Sequence, residues 1–174
     1  MTVARRSRES RTFLRTVSGA AMLCIVLLCV PQRASSAQAA ARQPVAIVVN
    51  SKSSVTNLSF AALRRIFMGQ QQFWPDRSKV TLLVRAPVAH ERAVVLDQIY
   101  RMDEDQFRQY WIGKMFRAEV AGGPKIVYSS DMAINLVSVI PGSITFVLAS
   151  AVTGDAKVIR IDGKLPSDPG YPLK

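Results

Sequence analysis

The stretch VTLLVRAPVAHERAVV, Val80–Val95, decides the fold: an apolar run rich in β-branched residues ends in one arginine, crosses Pro87 and turns to helical spacing. A strand that hands over to a helix is the repeating unit of α/β domains. Strand ends and helix N-termini converge at such junctions, unpaired N–H groups collect there, and ligands bind there. Arg85 then has two readings, either as the holder of an anion or as the partner of a nearby carboxylate such as Glu91 that only braces a scaffold.

Working towards the N-terminus, the first 39 residues are expected to be an export signal rather than part of the fold. Arg5, Arg6, Arg8, Arg11 and Arg15 make a basic start, Val17 to Val30 is apolar except for Ser18 and Gly19, and ASSAQAAA offers small residues for cleavage after Ala37 or Ala39. As a helix the apolar run would reach about 21 Å, short of the roughly 30 Å hydrocarbon core that an uncleaved anchor must cross. Neither Cys24 nor Cys29 follows a small residue, as a lipoprotein signal requires, and Phe13-Leu14 comes too late after Arg5-Arg6 for a twin-arginine signal. Both cysteines fall in this segment. Residues 40–174 therefore hold no disulfide, no thiolate metal site and no cysteine nucleophile.

Those 135 residues suffice for one domain with a real core. Six of the 23 basic residues and one of the 12 acidic residues precede residue 40, so the domain carries a net charge of +6 rather than +11. Its cations are scattered, with no run longer than two, and acids intervene from Asp103 to Asp105. A nucleic-acid footprint would cluster on one face among aromatics, so nucleic acid is not an expected partner.

The element pattern alternates. PVAIVVN (44–50) reads as a buried strand of a mostly parallel sheet, and SKSSVTN as a polar loop. An amphipathic helix follows, with Ser59 as N-cap, Phe60, Leu63, Ile66 and Phe67 on its apolar face and Gly69 as its stop. After the turn at Pro75-Asp76 and the strand at Val80–Arg85, a helix is expected from Pro87 to about Tyr100, burying Val95, Leu96 and Ile99. Asp103 caps the next helix with Gln106 as capping-box partner, and Phe107, Tyr110, Trp111 and Met115 form a core stripe. RAEVAGGPK lacks phosphate-loop spacing, IVY reads as a strand, and Ser129 or Ser130 caps a helix that Pro141-Gly142 ends. SITFVLA and KVIRI read as two strands joined by TGDA. The sum is an α/β domain, a three-layer sandwich with a mixed, mostly parallel sheet.

In this order the landmarks resemble a known family. LRRIFMGQQQFWPD, LVRAP, VIPGSITFVLASAV and IDGKLPSDPGYPL are similar to successive segments of the phosphate-binding proteins that serve ABC phosphate importers, and they span about Val45 to Leu173. The resemblance implies the type-2 periplasmic binding protein fold, normally two lobes closing on a ligand, of which residues 40–174 are long enough for one. It also implies a periplasmic solute-binding role, with a small phosphate-like anion as ligand and the membrane subunits of an ABC transporter as partners. In that family the strand ends in arginine, three residues intervene, and Ser-Gly-Thr opens the helix. The chemistry is a guanidinium fork plus hydroxyl and N–H donors around phosphate oxygens. Arg85 matches; Ala89, His90 and Glu91 replace the serine, glycine and threonine. Losing two hydroxyl donors alone costs at least about a hundredfold in affinity at ~1.5 kcal/mol each, before the repulsion of Glu91 is counted.

The candidate ligand-binding residues are Arg85, Ser129, Ser130, Ser51 and His90. Each also has a plain structural reading: an ion pair for Arg85, helix capping for the serine pair 129–130, a polar turn for Ser51, Ser53 and Ser54, and a solvated residue for the lone His90. No catalytic residue, metal site or cofactor is expected, because the chain has no G-x-S-x-G, H-E-x-x-H or paired-histidine pattern. Two functions remain open. One is an exported solute-binding-like domain that binds a small anion weakly; the other is a non-catalytic envelope interaction or accessory module whose anion site has been lost, an exported domain that does not span the membrane once its signal is removed.

Overall fold

The computed structural model describes residues 43–154 and 156–174, which belong to one compact unit, Gln38–Lys174. The export-signal reading and both cysteines lie outside the described residues. β1 (Val45–Val49) is buried along its whole length, as its unbroken β-branched run requires. It lies inside a five-stranded sheet ordered β4 (Lys125–Val127), β3 (Thr81–Arg85), β5 (Ser143–Leu148), β1, β6 (Lys157–Val158). β3 is parallel to both β4 and β5, while β1 is antiparallel to β5 and β6. Four of the five strands therefore point one way, and β1 alone runs against them.

Strand alternation divides the core into two. One face presents Val45, Ile47, Val84, Ile144 and Phe146 to α1 (Phe60–Phe67), α2 (His90–Val95) and α3 (Glu104–Phe116). The other presents Ala46, Val48, Leu83, Val127 and Val147 to α4 (Ser130–Val139) through Ala133, Ile134 and Val137. This is the three-layer sandwich expected from the alternating pattern.

Local chemistry explains the helix ends. The Ser59 hydroxyl accepts from Ala62 N and opens α1, whose buried residues are Leu63, Ile66 and Phe67. Gly69 stops it at φ +63°, where a Cβ would also sit 2.8 Å from the Trp111 ring. The helix expected from Pro87 to Tyr100 is α-helical only to Val95; Leu96–Tyr100 forms a π turn that Arg101 closes in the left-handed region. Asp103 and Gln106 form the reciprocal capping box of α3.

Three expectations need correction. Met115 is 43% exposed, because the last turn of α3 packs through Lys114, whose ammonium meets Glu119 at 2.9 Å, rather than through the apolar stripe. SKSSVTN is not wholly loop: Asn57–Leu58 is a strand, β2, paired parallel with β7 (Arg160–Ile161). KVIRI is accordingly two strands, the first half serving β1 and the second β2. The closing segment returns to the sheet, where the Tyr171 hydroxyl donates to Val45 O at 2.8 Å and Leu173 is fully buried.

Candidate functional site

Because β3, β4 and β5 are parallel, their C-terminal ends share one rim, and α2 and α4 begin there. Arg85 is the last residue of β3 and 7% exposed; Glu91 is the second residue of α2 and 3% exposed. Arg85 Nε donates to Glu91 Oε1 at 2.6 Å, and its Nη1 donates to Val127 O, on β4, at 3.3 Å. Among the described residues its Nη2 makes no hydrogen bond. Of the two readings of Arg85, the geometry gives the internal ion pair.

A second pair backs the first. Arg92, 3% exposed, sends Nη1 to Arg85 O at 2.6 Å, while Nε and Nη2 form a fork on the Glu104 carboxylate, the latter at 2.8 Å. Its guanidinium also lies 4.8 Å over the Phe107 ring, which covers the cation while Glu104 stays partly exposed. Two arginines and two glutamates thus close a neutral network that ties the end of β3 to the starts of α2 and α3. Electrostatically, the carboxylate of Glu91 fills the role that an external anion would have beside Arg85.

The other candidates sort by topology. His90 opens α2, is exposed, and makes no side-chain hydrogen bond among the described residues. The Ser129 hydroxyl accepts from Met132 N at 3.0 Å as the N-cap of α4, and Ser130 beside it is half-buried. Arg85, His90, Ser129 and Ser130 therefore share the rim. Ser51 does not share it, which corrects the expectation of a common cleft: β1 runs antiparallel to β5, so the chain leaves β1 near Ser143, at the opposite end of the sheet. There the buried Asn50 donates its amide to Val137 O and Ser138 O, both at 2.9 Å, and shapes the turn that leaves Ser51 exposed.

Arg92, Glu104 and Asn50 escaped the sequence reading. Arg92 and Glu104 sit on helices whose apolar spacing marks other residues as core, and nothing in HERAVV shows that its second charged pair partner lies across an interhelical corner. Among the described residues no three or more His, Cys, Asp or Glu side chains gather as a metal site, and no helix is long and apolar enough to cross a membrane.

No protein-family model and no curated protein sequence matches the chain. Solved structures do. An ABC-type phosphate transport receptor from Vibrio cholerae is 22% identical with a TM-score of 0.58, over 71% of this chain and 48% of that one. PstS from Borrelia burgdorferi is 16% identical with a TM-score of 0.60, over 75% and 53% respectively. A putative phosphate ABC transporter substrate-binding protein from Clostridium perfringens, solved with bound phosphate, is 14% identical with a TM-score of 0.56, over 69% and 45%. The chain spans about half the length of these proteins. The resemblance carried by LRRIFMGQQQFWPD and VIPGSITFVLASAV is thus borne out in three dimensions: this chain has the fold of part of an ABC phosphate receptor.

Proposed function

We propose that the protein is an exported, non-catalytic domain of the solute-binding fold in which Glu91 has taken the place of an external anion, and that it acts as an interaction or accessory module of the cell envelope. The observation that carries this reading is the buried Arg85–Glu91 pair at 2.6 Å. An anion that used Arg85 in the manner of the phosphate receptors would have to displace Glu91 and leave that carboxylate buried without its partner. Breaking such a pair costs about 3–5 kcal/mol, a penalty of roughly a hundredfold to several thousandfold on any phosphate affinity. Export is supported by the basic and apolar segment ahead of residue 40, and the similarity in fold supports the proposal of envelope partners, ABC membrane subunits among them.

Weak capture of a small anion is the second reading. It is favoured by Arg85 Nη2, which makes no hydrogen bond among the described residues, and by His90, Ser129 and Ser130 on the same rim. Calorimetric titration with phosphate, with Arg85→Ala as control, tests both. Heat that fits micromolar binding and vanishes in the control would overturn the proposal; silence supports it, and weak binding lost in the control supports the second reading.

A further inference from the structure

β4 is the outer strand of the sheet, and among the described residues no strand pairs with its outer side. Ala86 N donates to Val127 O at 2.9 Å, so the backbone of Val127 faces β3. Strand alternation then turns the N–H and C=O of Ile126 outward, and neither finds a partner among the described residues. Ile126 and Tyr128, two residues apart and so on one face, are 46% and 75% exposed. β4 covers only Leu83–Arg85 of β3. The outer edge of Thr81 and Leu82 opens instead onto a cavity of about 210 Å³, with Ile66, Trp111 and Val120 in its walls and Lys79 and Lys125 among its lining residues. No carboxylate pairs with either lysine among the described residues.

An exposed edge with apolar flanks invites strand pairing, and proteins block the unwanted kind with charge. Lys125 does this against a second copy, since two chains joined at this edge would bring like charges together in domains of net charge +6. The same lysines attract the opposite sign. We infer that the free edge of β4 takes up an extended segment of another protein as an added strand, with β-branched residues set against Ile126 and Tyr128 and an acidic residue set against Lys125 and Lys79. This rests on the reading of the domain as an interaction module, and it names the surface and the chemistry of the partner.

The test is selection of a randomised nine-residue peptide library displayed on phage against the purified protein, with the Ile126→Pro protein as counter-target. Proline removes the outward N–H and is tolerated on an edge strand. Enriched peptides should alternate β-branched residues and carry at least one acid, bind Ile126→Pro at least about tenfold more weakly, and lose about tenfold on Lys125→Glu, whose reversed charge turns a favourable cross-strand pair into an unfavourable one. Should Ile126→Pro fail to fold, slowed hydrogen exchange at the Ile126 amide of the unmodified protein on peptide addition replaces it. Peptides blind to both substitutions, no enrichment over the counter-target, or a dimer abolished by Ile126→Pro would each overturn the inference. The phosphate titration is independent, so failure here leaves the functional reading standing, and micromolar phosphate binding would remove that reading first.

Discussion

Replacing Glu91 by alanine strips a buried guanidinium of the one charged partner it has among the described residues. Arg85, 7% exposed in the unmodified protein, would keep a single 3.3 Å bond to Val127 O, so it must either stay charged and unpaired in a buried corner or draw the α2 start open to water. Losing one member of a buried pair costs about 3–5 kcal/mol. That is a large share of the roughly 5–15 kcal/mol that holds a domain of this kind together, and it should lower the melting temperature by about 10 °C or more. Two further arms separate charge from packing. Combining Arg85→Met with Glu91→Leu removes both charges and should recover stability to within about 1 kcal/mol of the unmodified protein, since apolar replacements of buried pairs are often neutral. Phosphate or acetate should raise the melting point of Glu91→Ala in a concentration-dependent way, because the vacated place suits an anion, and should leave the unmodified protein unchanged. Urea melts and thermal scans of the unmodified protein, Glu91→Ala, the double variant and its two single components suffice. A loss below about 1 kcal/mol in the single variant, or a double variant no better than the sum of its parts, would refute the reasoning from burial.

Other positions give separate checks. Gly69→Ala combines a φ of +63° with a Cβ 2.8 Å from Trp111, and should cost about 1–3 kcal/mol in a urea melt. Asn50→Ala removes the amide that donates to Val137 O and Ser138 O and should cost about 1–3 kcal/mol, with faster hydrogen exchange confined at first to the Asn50–Ser53 turn and the end of α4. Hydrogen bonds from Lys114 and then Arg117 hold the Glu119 carboxyl well below the usual range, at about 2. Because its folded pKa is depressed, its contribution is present above about pH 4.5 and fades as pH falls towards 2; carbon-detected NMR titration should find its carboxyl still ionised well below pH 4.5.

The layers were legible because the chemistry that makes them is local. VAIVV, Ser59 with its apolar face, and Asp103 with Gln106 each announce one element, and the structure holds all three. What stayed hidden depends on partners distant in sequence. The backward direction of β1, which carries Ser51 to the far end of the sheet, is set by pairing with β5 almost a hundred residues away. KVIRI looks like one strand because its change of partner from β1 to β2 leaves no mark in composition. Met115 satisfies helical spacing, yet Glu119 lies within reach of Lys114 and decides which side of the last turn is covered. At the rim, Arg85 and Glu91 were visible as neighbours in the chain, whereas the Arg92–Glu104 pair behind them requires α3 to cross the start of α2.

The central claim is that the domain supplies its own anion. Calorimetric titration of phosphate into the unmodified protein and into Glu91→Gln, where an uncharged side chain of similar shape faces Arg85, tests it most directly. The account predicts no micromolar binding by the unmodified protein and measurable binding once the charge of Glu91 is gone. Micromolar phosphate binding by the unmodified protein that Arg85→Ala abolishes would contradict it.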